Sequence, residues 1–369
     1  MIAKLQSNRV RRTYLGGGRI DAFTGGGRLS RPSTGETPVV PVQPNPTGET
    51  PVVPVEMPRP EDWLASTTTA FNGTLEIDGE GLGRLEDGRL VKDVVGTLPI
   101  LVKLLDSDER LVIQAHPTVP CAKRLFNSPV GKTECWYFLP GTAPDACVYL
   151  GFKPGITRAA WEEAFWGGSR YCATENTDAR QRVPPDLLSF LHRIPVKAGD
   201  FVFVDGGMPH AIGGGCFMIE LQEPSDLMVV AERVTPSGRR IPDAKMHGGV
   251  GWEKMFEVYE YEGMTFEEVC ARYVRRAGGS RCRATENMDA QQCVPPVRQI
   301  LGPELTDKFS MWRVTNGGRV ALPRDRGVAV VTEGTGEVNG LAVKKGDRLV
   351  IADERHLAVS GTITLVACA

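Results

Sequence analysis

At 369 residues and a formal net charge of −2, with 43 basic and 45 acidic side chains, the chain can hold two globular modules whose interiors need no disulfide staples. The basic residues are dispersed, so there is no electrostatic case for nucleic acid, and the apolar runs are too short and interrupted for a membrane span. Nine cysteines without CxxC spacing read as reduced thiols with no metal role, and the opening MIAKLQSNRVRRTY has no apolar signal core, so a soluble cytoplasmic protein is expected.

In chain order, residues 1–23 contain RRTYLGGGRIDAF, a glycine-rich turn after a short strand. TGETPVVPV then occurs at 34–42 and again at 47–55, in a Pro-, Gly- and Thr-rich setting without helical period. Such a segment buries too little apolar surface to offset its ordering entropy, so 24–57 is expected to be a disordered surface insertion. PEDWLASTTTAFN at 60–72 opens like a helix start. Residues 101–139 hold two strand-like runs joined by a loop with Pro117, Pro120 and Pro129. Residues two apart on a strand share a face, so Gln114 with His116, and Lys132 with Glu134, meet on one surface if the runs pair. Next to Val112, Ile113, Trp136 and Tyr137, these polar groups are costly unless something binds them.

Residues 161–166 and 187–192 read as short helices. CATENTDARQRVPP from Cys172 is echoed by CRATENMDAQQCVPP from Cys282 without any repeat of a hydrophobic framework, so both read as sequences accepted in loops, where length costs little closure entropy. Phe201–Val204 reads as a buried strand, followed by a Gly-Gly-Met-Pro turn carrying His210 and a strand over 216–222. Phe266, Val269, Cys270 and Tyr273 are at helical spacing and predict a longer helix over 264–276. From 309 to 369 short strands alternate with turns at Asn316-Gly317, Glu333-Gly334, Asn339-Gly340 and Lys345-Gly346-Asp347, the punctuation of an antiparallel sandwich or jelly roll. The fold class is therefore mainly β, with two β modules and a few short helices. Residues 1–23 with 58–260 form the N-terminal module, 261–308 a helical connector with a repeat-like insertion, and 309–369 the C-terminal module.

A lone Gln-x-His is weak evidence, and a lone histidine is more often a satisfied structural residue than a ligand. Gln114, His116, Glu134 and His210 together offer two imidazoles, a carboxylate and an amide oxygen, a set that suits Zn²⁺ or a neighbouring divalent ion with room for water or substrate. Glu220 shares a strand face with Met218 and Gln222; it reads either as a solvated or ion-paired carboxylate or as a proton carrier between adjacent carbons of a metal-bound sugar. Lys132 is by default a surface lysine, yet its place two before Glu134 suits it to hold a phosphate or a sugar oxygen.

The segments LVKLLDSDERLVIQAHP, GKTECWYFL, PVKAGDFVFVDGGMPHAIGGGCFMIELQEPSD and VKKGDRLVIA resemble type I phosphomannose isomerase, a zinc-dependent family of the cupin superfamily. RRTYLGGG and PEDWLAS resemble that family's opening, and the resemblance extends over most of the chain outside the repeats. It implies two cupin (jelly-roll) modules and one Zn²⁺ per chain on Gln114, His116, Glu134 and His210. It also implies a conserved lysine and carboxylate at Lys132 and Glu220, and interconversion of mannose 6-phosphate and fructose 6-phosphate through an enediol. Two positions depart from the family: Val112 stands where it commonly has a serine, and Val230 where it has an active-site arginine. Arg233 is the candidate to supply that cation to the substrate. His356, His192 and His247 read as structural, with the C-terminal module free of metal.

The expected partner is a small sugar phosphate, with the enzyme acting as a monomer or homodimer. A non-catalytic sugar-binding or regulatory cupin that keeps the metal is the alternative, and an oxygen-using iron cupin stands third.

Overall fold

A computed structural model describes residues 1–25, 57–72, 77–167, 186–277 and 296–369. The insertion expected at 24–57 and the two ATEN-containing repeats lie, but for their edges, outside the described residues. Six cysteines among the described residues are buried and outside any disulfide, and no helix there is long and apolar enough to cross a membrane.

The first strand is β1 (Ile2–Lys4). It is followed by β2 (Arg9–Val10), β3 (Glu61–Leu64), β4 (Leu101–Asp106), β5 (Gln114–Ala115), β6 (Glu134–Phe138) and β7 (Cys147–Phe152). Next come β8 (Leu191–Pro195), β9 (Phe201–Val204), β10 (His210–Ile212), β11 (Phe217–Gln222), β12 (Val229–Val230) and β13 (Val274–Arg275). Among the described residues, β2 to β13 make two antiparallel sheets, ordered β2-β3-β4-β11-β6-β9-β13 and β12-β5-β10-β7-β8, which face each other as a jelly roll.

This topology corrects the pairing expected within 101–139. β5 pairs with β10 and β12, whereas β6 pairs with β9 and β11, so the two motif-bearing runs belong to opposite sheets. Their side chains meet across the interior of the sandwich, not side by side on one surface. PEDWLAS is likewise a strand and no helix start. Its Glu61 and Leu64 stand opposite Leu105 and Val102 of β4, and burial of Trp63 and Leu64 outweighs the local Pro-Glu-Asp signal.

The helical expectations shift at their ends. Arg158–Phe165 is a helix capped by the Thr157 hydroxyl, while Leu187–Phe190 is a single 3₁₀ turn that gives way to β8. Thr265 and Glu268 form a reciprocal capping box for the helix Phe266–Tyr273. That helix stops short of Arg276 because Val274 and Arg275 pair with β9.

The third sheet adds β14 (Val297–Leu301), β15 (Met311–Thr315), β16 (Gly318–Ala321), β17 (Arg326–Val338), β18 (Leu341–Lys344), β19 (Arg348–Ala352) and β20 (His356–Cys368). Its order is β1-β19-β17-β20-β15-β14, with β16 on β20 and β18 on β17. Asn339-Gly340 is a tight hairpin turn between β17 and β18 with positive φ at both residues, as the turn chemistry demands. Asn316-Gly317, also at positive φ, is no hairpin, because β15 and β16 on either side of it pair one after the other along β20. Glu333-Gly334 is no turn. Gly334, at φ +74°, sits inside β17 beside a register shift between Val331 and Glu333, where an added Cβ would fall 1.8 Å from the Thr362 carbonyl oxygen. Two stretches grouped elsewhere by sequence supply edges of this sheet, namely β1 and β14. Its Met311, Val328, Val330, Val350 and Val366 share one continuous core with Trp136, Phe203 and Leu221 of the first module.

The loop after His116 is held by two close backbone approaches. A Cβ at Gly131 would lie 2.6 Å from the Pro117 oxygen, and one at Gly206 would lie 2.9 Å from Thr118 Cα. The Gly207 amide also donates to the His116 carbonyl. Gly131→Ala should therefore destabilise the fold by about 1–3 kcal/mol in urea denaturation; a stability equal to wild type would show that the loop moves aside freely.

Candidate functional site

The period of two along the strands builds the site. On β11 the register places Glu220 beside Lys103 of β4 and Trp136 of β6, with Trp63 of β3 next to Lys103 on the same face. Gln222, two residues on, stands beside Glu134. On the facing sheet one row holds Val230, Gln114 and His210. The His116 ring, just past β5, lies 4.8 Å from that of His210, which packs edge-on against Trp136 at 5.5 Å.

His116, Glu134 and His210 converge, with candidate ligand atoms all within 4.8 Å of one another and no solvent exposure. His116 Nε2 is 3.3 Å from Glu134 Oε2, and His210 Nε2 is 3.4 Å from Oε1. Each ring has Nδ1 against a main-chain carbonyl, Leu227 at 2.9 Å and Met208 at 2.8 Å. A carbonyl only accepts, so Nδ1 carries the hydrogen and Nε2 of the neutral ring is a lone pair. Burial, reinforced by the Lys132 charge, lowers the His116 pKa, and burial brings His210 down to about 3 despite the pull of Glu134. Burial alone would raise the Glu134 carboxyl, but Lys132 and His116 outweigh it and hold the group well below the usual range.

Two lone pairs thus face a carboxylate, acceptor against acceptor, and both Glu134 Oε1 and His210 Nε2 lack a hydrogen-bond partner among the described residues. Buried acceptors in that arrangement are stable only around a positive charge. The donor set, with each imidazole oriented by an outer carbonyl, fits a divalent cation. Gln114 lies on the same face as His210 and offers an amide oxygen. Lys132 Nζ reaches the other two acceptors of the cluster, 2.6 Å from His116 Nε2 and 2.7 Å from Glu134 Oε2.

The neighbouring cavity is a recess of about 580 Å³, counting space open to solvent. Gln114, Lys132 and Glu220 line it together with Arg12, Glu61, Lys103, Asp226 and Lys245. Arg12 lies 3.0 Å from both Glu61 and Asp226, and Tyr14 and Trp63 donate to the two oxygens of Glu61 at 2.8 and 2.7 Å. Lys103 Nζ donates to Glu220 Oε1 at 2.7 Å, and Trp136 Nε1 donates to Oε2 at 3.2 Å. Burial raises the Glu220 pKa in spite of Lys103. The arrangement is a cluster able to hold a metal beside a cavity whose wall carries a fixed carboxylate, a combination suited to moving a proton along a polar substrate.

No family model matches the chain. Among curated proteins it is 36% identical over 128 residues to the mannose-6-phosphate isomerase ManA of Bacillus subtilis, 35% of each chain, and 33% identical over 129 residues to the Streptococcus mutans mannose-6-phosphate isomerase. These alignments span about a third of the relatives' length, 35% and 34%. A longer match reaches YvyI of B. subtilis, provisionally named a mannose-6-phosphate isomerase, at 30% identity over 283 residues and 73% of both chains. The chain belongs to the mannose-6-phosphate isomerase family. Its fold agrees with the crystal structures of mannose 6-phosphate isomerase from B. subtilis, at TM-score 0.63 and 17% identity, and of the apo form from Salmonella typhimurium, at 0.61 and 14%. Each alignment covers 100% of this chain, and 99% and 98% of those chains. The two-module cupin fold is thus the family's fold.

Of the residues singled out from sequence, Gln114, Lys132 and Glu220 line the cavity and His116, Glu134 and His210 form the cluster beside it. Arg233 does not join them. Its guanidinium lies 5.1–5.3 Å from the ring centres of Phe165, Trp166 and Trp252, with Asp243 3.9 Å away, and its side chain is 43% exposed. Packing on three aromatic faces, not a backbone shift toward Val230, fixes its position. The cavity's cations are instead Arg12, Lys103, Lys132 and Lys245. Lys103 had a readable signal, a lysine inside the apolar strand text LVKLLD. Arg12 and Glu61 belong to the quoted RRTYLGGG and PEDWLAS segments, whose charges offered no local sign of burial.

Glu61 yields a pH prediction. Burial would raise its pKa, but Arg12 and Lys103 outweigh that and bring it down to about 2 from an ordinary 4.5. Its contribution to stability is complete above about pH 4.5 and is lost as pH falls through about 2. Melting temperatures between pH 6 and pH 2.5 should fall less steeply in Glu61→Gln than in wild type; parallel curves would show that this carboxylate is not depressed.

Proposed function

We propose that the chain interconverts mannose 6-phosphate and fructose 6-phosphate through an enediol, with one Zn²⁺ held by Gln114, His116, Glu134 and His210. The bound ion would supply Lewis-acid polarisation of the sugar oxygens at the reacting carbons. The remaining work falls to the protein's own side chains. Glu220 removes the proton from one carbon and returns it to its neighbour; burial raises its affinity for that proton, while Lys103 and Trp136 fix its two oxygens against rotation. Lys132, turned from the cluster toward the cavity, hydrogen-bonds a sugar oxygen. The sandwich walls keep bulk water from the exchanging proton.

The observation that carries this reading is the meeting of two neutral imidazole lone pairs with a buried carboxylate, one lysine away from a cavity that contains Glu220, in a chain of this family. The test uses purified protein loaded with ZnCl₂ and a coupled assay for fructose 6-phosphate. His210→Ala should lose bound metal and turnover together while the protein stays folded. Glu220→Gln should keep its metal and lose turnover by about 10²–10⁴-fold. Wild-type turnover in metal-free His210→Ala would rule the scheme out, and metal-loaded wild type that binds the sugar phosphate without converting it would mark a binding protein.

A further inference from the structure

Each cation around the cavity but one has a carboxylate among the described residues. Arg12 has Glu61 and Asp226 at 3.0 Å, Lys103 has Glu220 at 2.7 Å, and Lys132 has Glu134 at 2.7 Å. Lys245 is 5% exposed, and its hydrogen bond is a 3.5 Å contact with Asn72 Oδ1, an oxygen that also accepts from Arg12 Nη1 at 3.2 Å. It rises from the short helix Asp243–Met246, which packs on β12, and reaches a stretch of the cavity wall made apolar by Val230 and Ile241. Asp226 and Glu61 pull on its charge without touching it, and Arg12 pushes against it. Burial lowers its pKa to about 8, which leaves the ammonium charged at neutral pH.

A buried ammonium facing a cavity without a counter-ion is an expensive arrangement, and an arriving anion relieves it. Lysine suits a compact, multiply accepting anion, because its three donors rotate to meet oxygens from several directions. We propose that Lys245 binds the phosphoryl group of the sugar substrate and so makes the enzyme select phosphorylated over free hexoses. This assignment rests on the isomerase reading above and adds to it the residue that recognises the substrate's charged end. Arg12 is engaged by its two carboxylates and serves to keep Asn72 oriented toward Lys245.

Lys245→Met, Lys245→Gln and Lys245→Arg in the zinc-loaded full chain test the proposal. Lys245→Met should raise both KM for mannose 6-phosphate and the inhibition constant of inorganic phosphate by about 10- to 100-fold, the worth of a charged hydrogen bond, with a smaller change in kcat. The ratio of KM for free mannose to KM for mannose 6-phosphate should fall by the same factor. Lys245→Gln should behave alike and stands in should the methionine variant fail to fold, while Lys245→Arg should retain most of the phosphate affinity. Wild-type KM and phosphate inhibition in the methionine and glutamine variants would overturn the proposal. A wild-type chain without isomerase turnover would overturn the reading of the reaction only. Calorimetric titration with inorganic phosphate then decides on Lys245: binding lost in Lys245→Met supports it, and equal binding refutes it.

Discussion

The first module answers to one electrostatic constraint. A carboxylate and two uncharged imidazoles turn their lone pairs toward one point in a dry interior, and that point has to be positive. Lys132 meets the requirement through its ammonium, and a divalent ion would meet it with more ligands and better geometry. Everything near the cluster is arranged to keep the lone pairs there. The Leu227 and Met208 carbonyls fix the tautomers, Trp136 wedges the His210 ring, and Gly131 and Gly206 let the backbone after His116 come close enough to hold its place.

The charged wall of the cavity follows the same logic on a larger scale. Ions taken out of water are tolerated where partners and hydrogen bonds surround them, and the Arg12, Glu61, Lys103 and Glu220 chain supplies both. Trp63 lies beneath two of these cations, its ring centre 5.0 Å from each, and donates its indole hydrogen to Glu61. Most of these groups sit on the central strands of a sheet and not on loops, so the packing of the sandwich sets their separations.

Much of this was legible in the sequence, but unevenly. The ligand types stood out because Gln114, His116, Glu134 and His210 are polar residues in apolar strand text, and a tight turn such as Asn339-Gly340 announces itself through residues that tolerate positive φ. Strand partnership did not show, since the period of two tells which face a side chain takes and nothing about which sheet the strand joins. For that reason the 101–139 runs were expected side by side and lie on opposite walls. Arg233 misled because nearness in sequence to Val230 stood in for nearness in space, when three aromatic rings draw it elsewhere. Lys245 carried no signal at all: its burial depends on Asn72 and Arg12, more than 170 and 230 positions away.

The pairing of Ile2 with Ile351 has a kinetic corollary. During synthesis at ~5–20 residues per second, Ile2–Lys4 waits for tens of seconds before Leu349–Ile351 exists to receive it. The jelly roll that carries the histidines can close in that interval, while the last sheet still lacks an edge. This short strand therefore acts as a late seam, zipping the two halves together only after both have been translated.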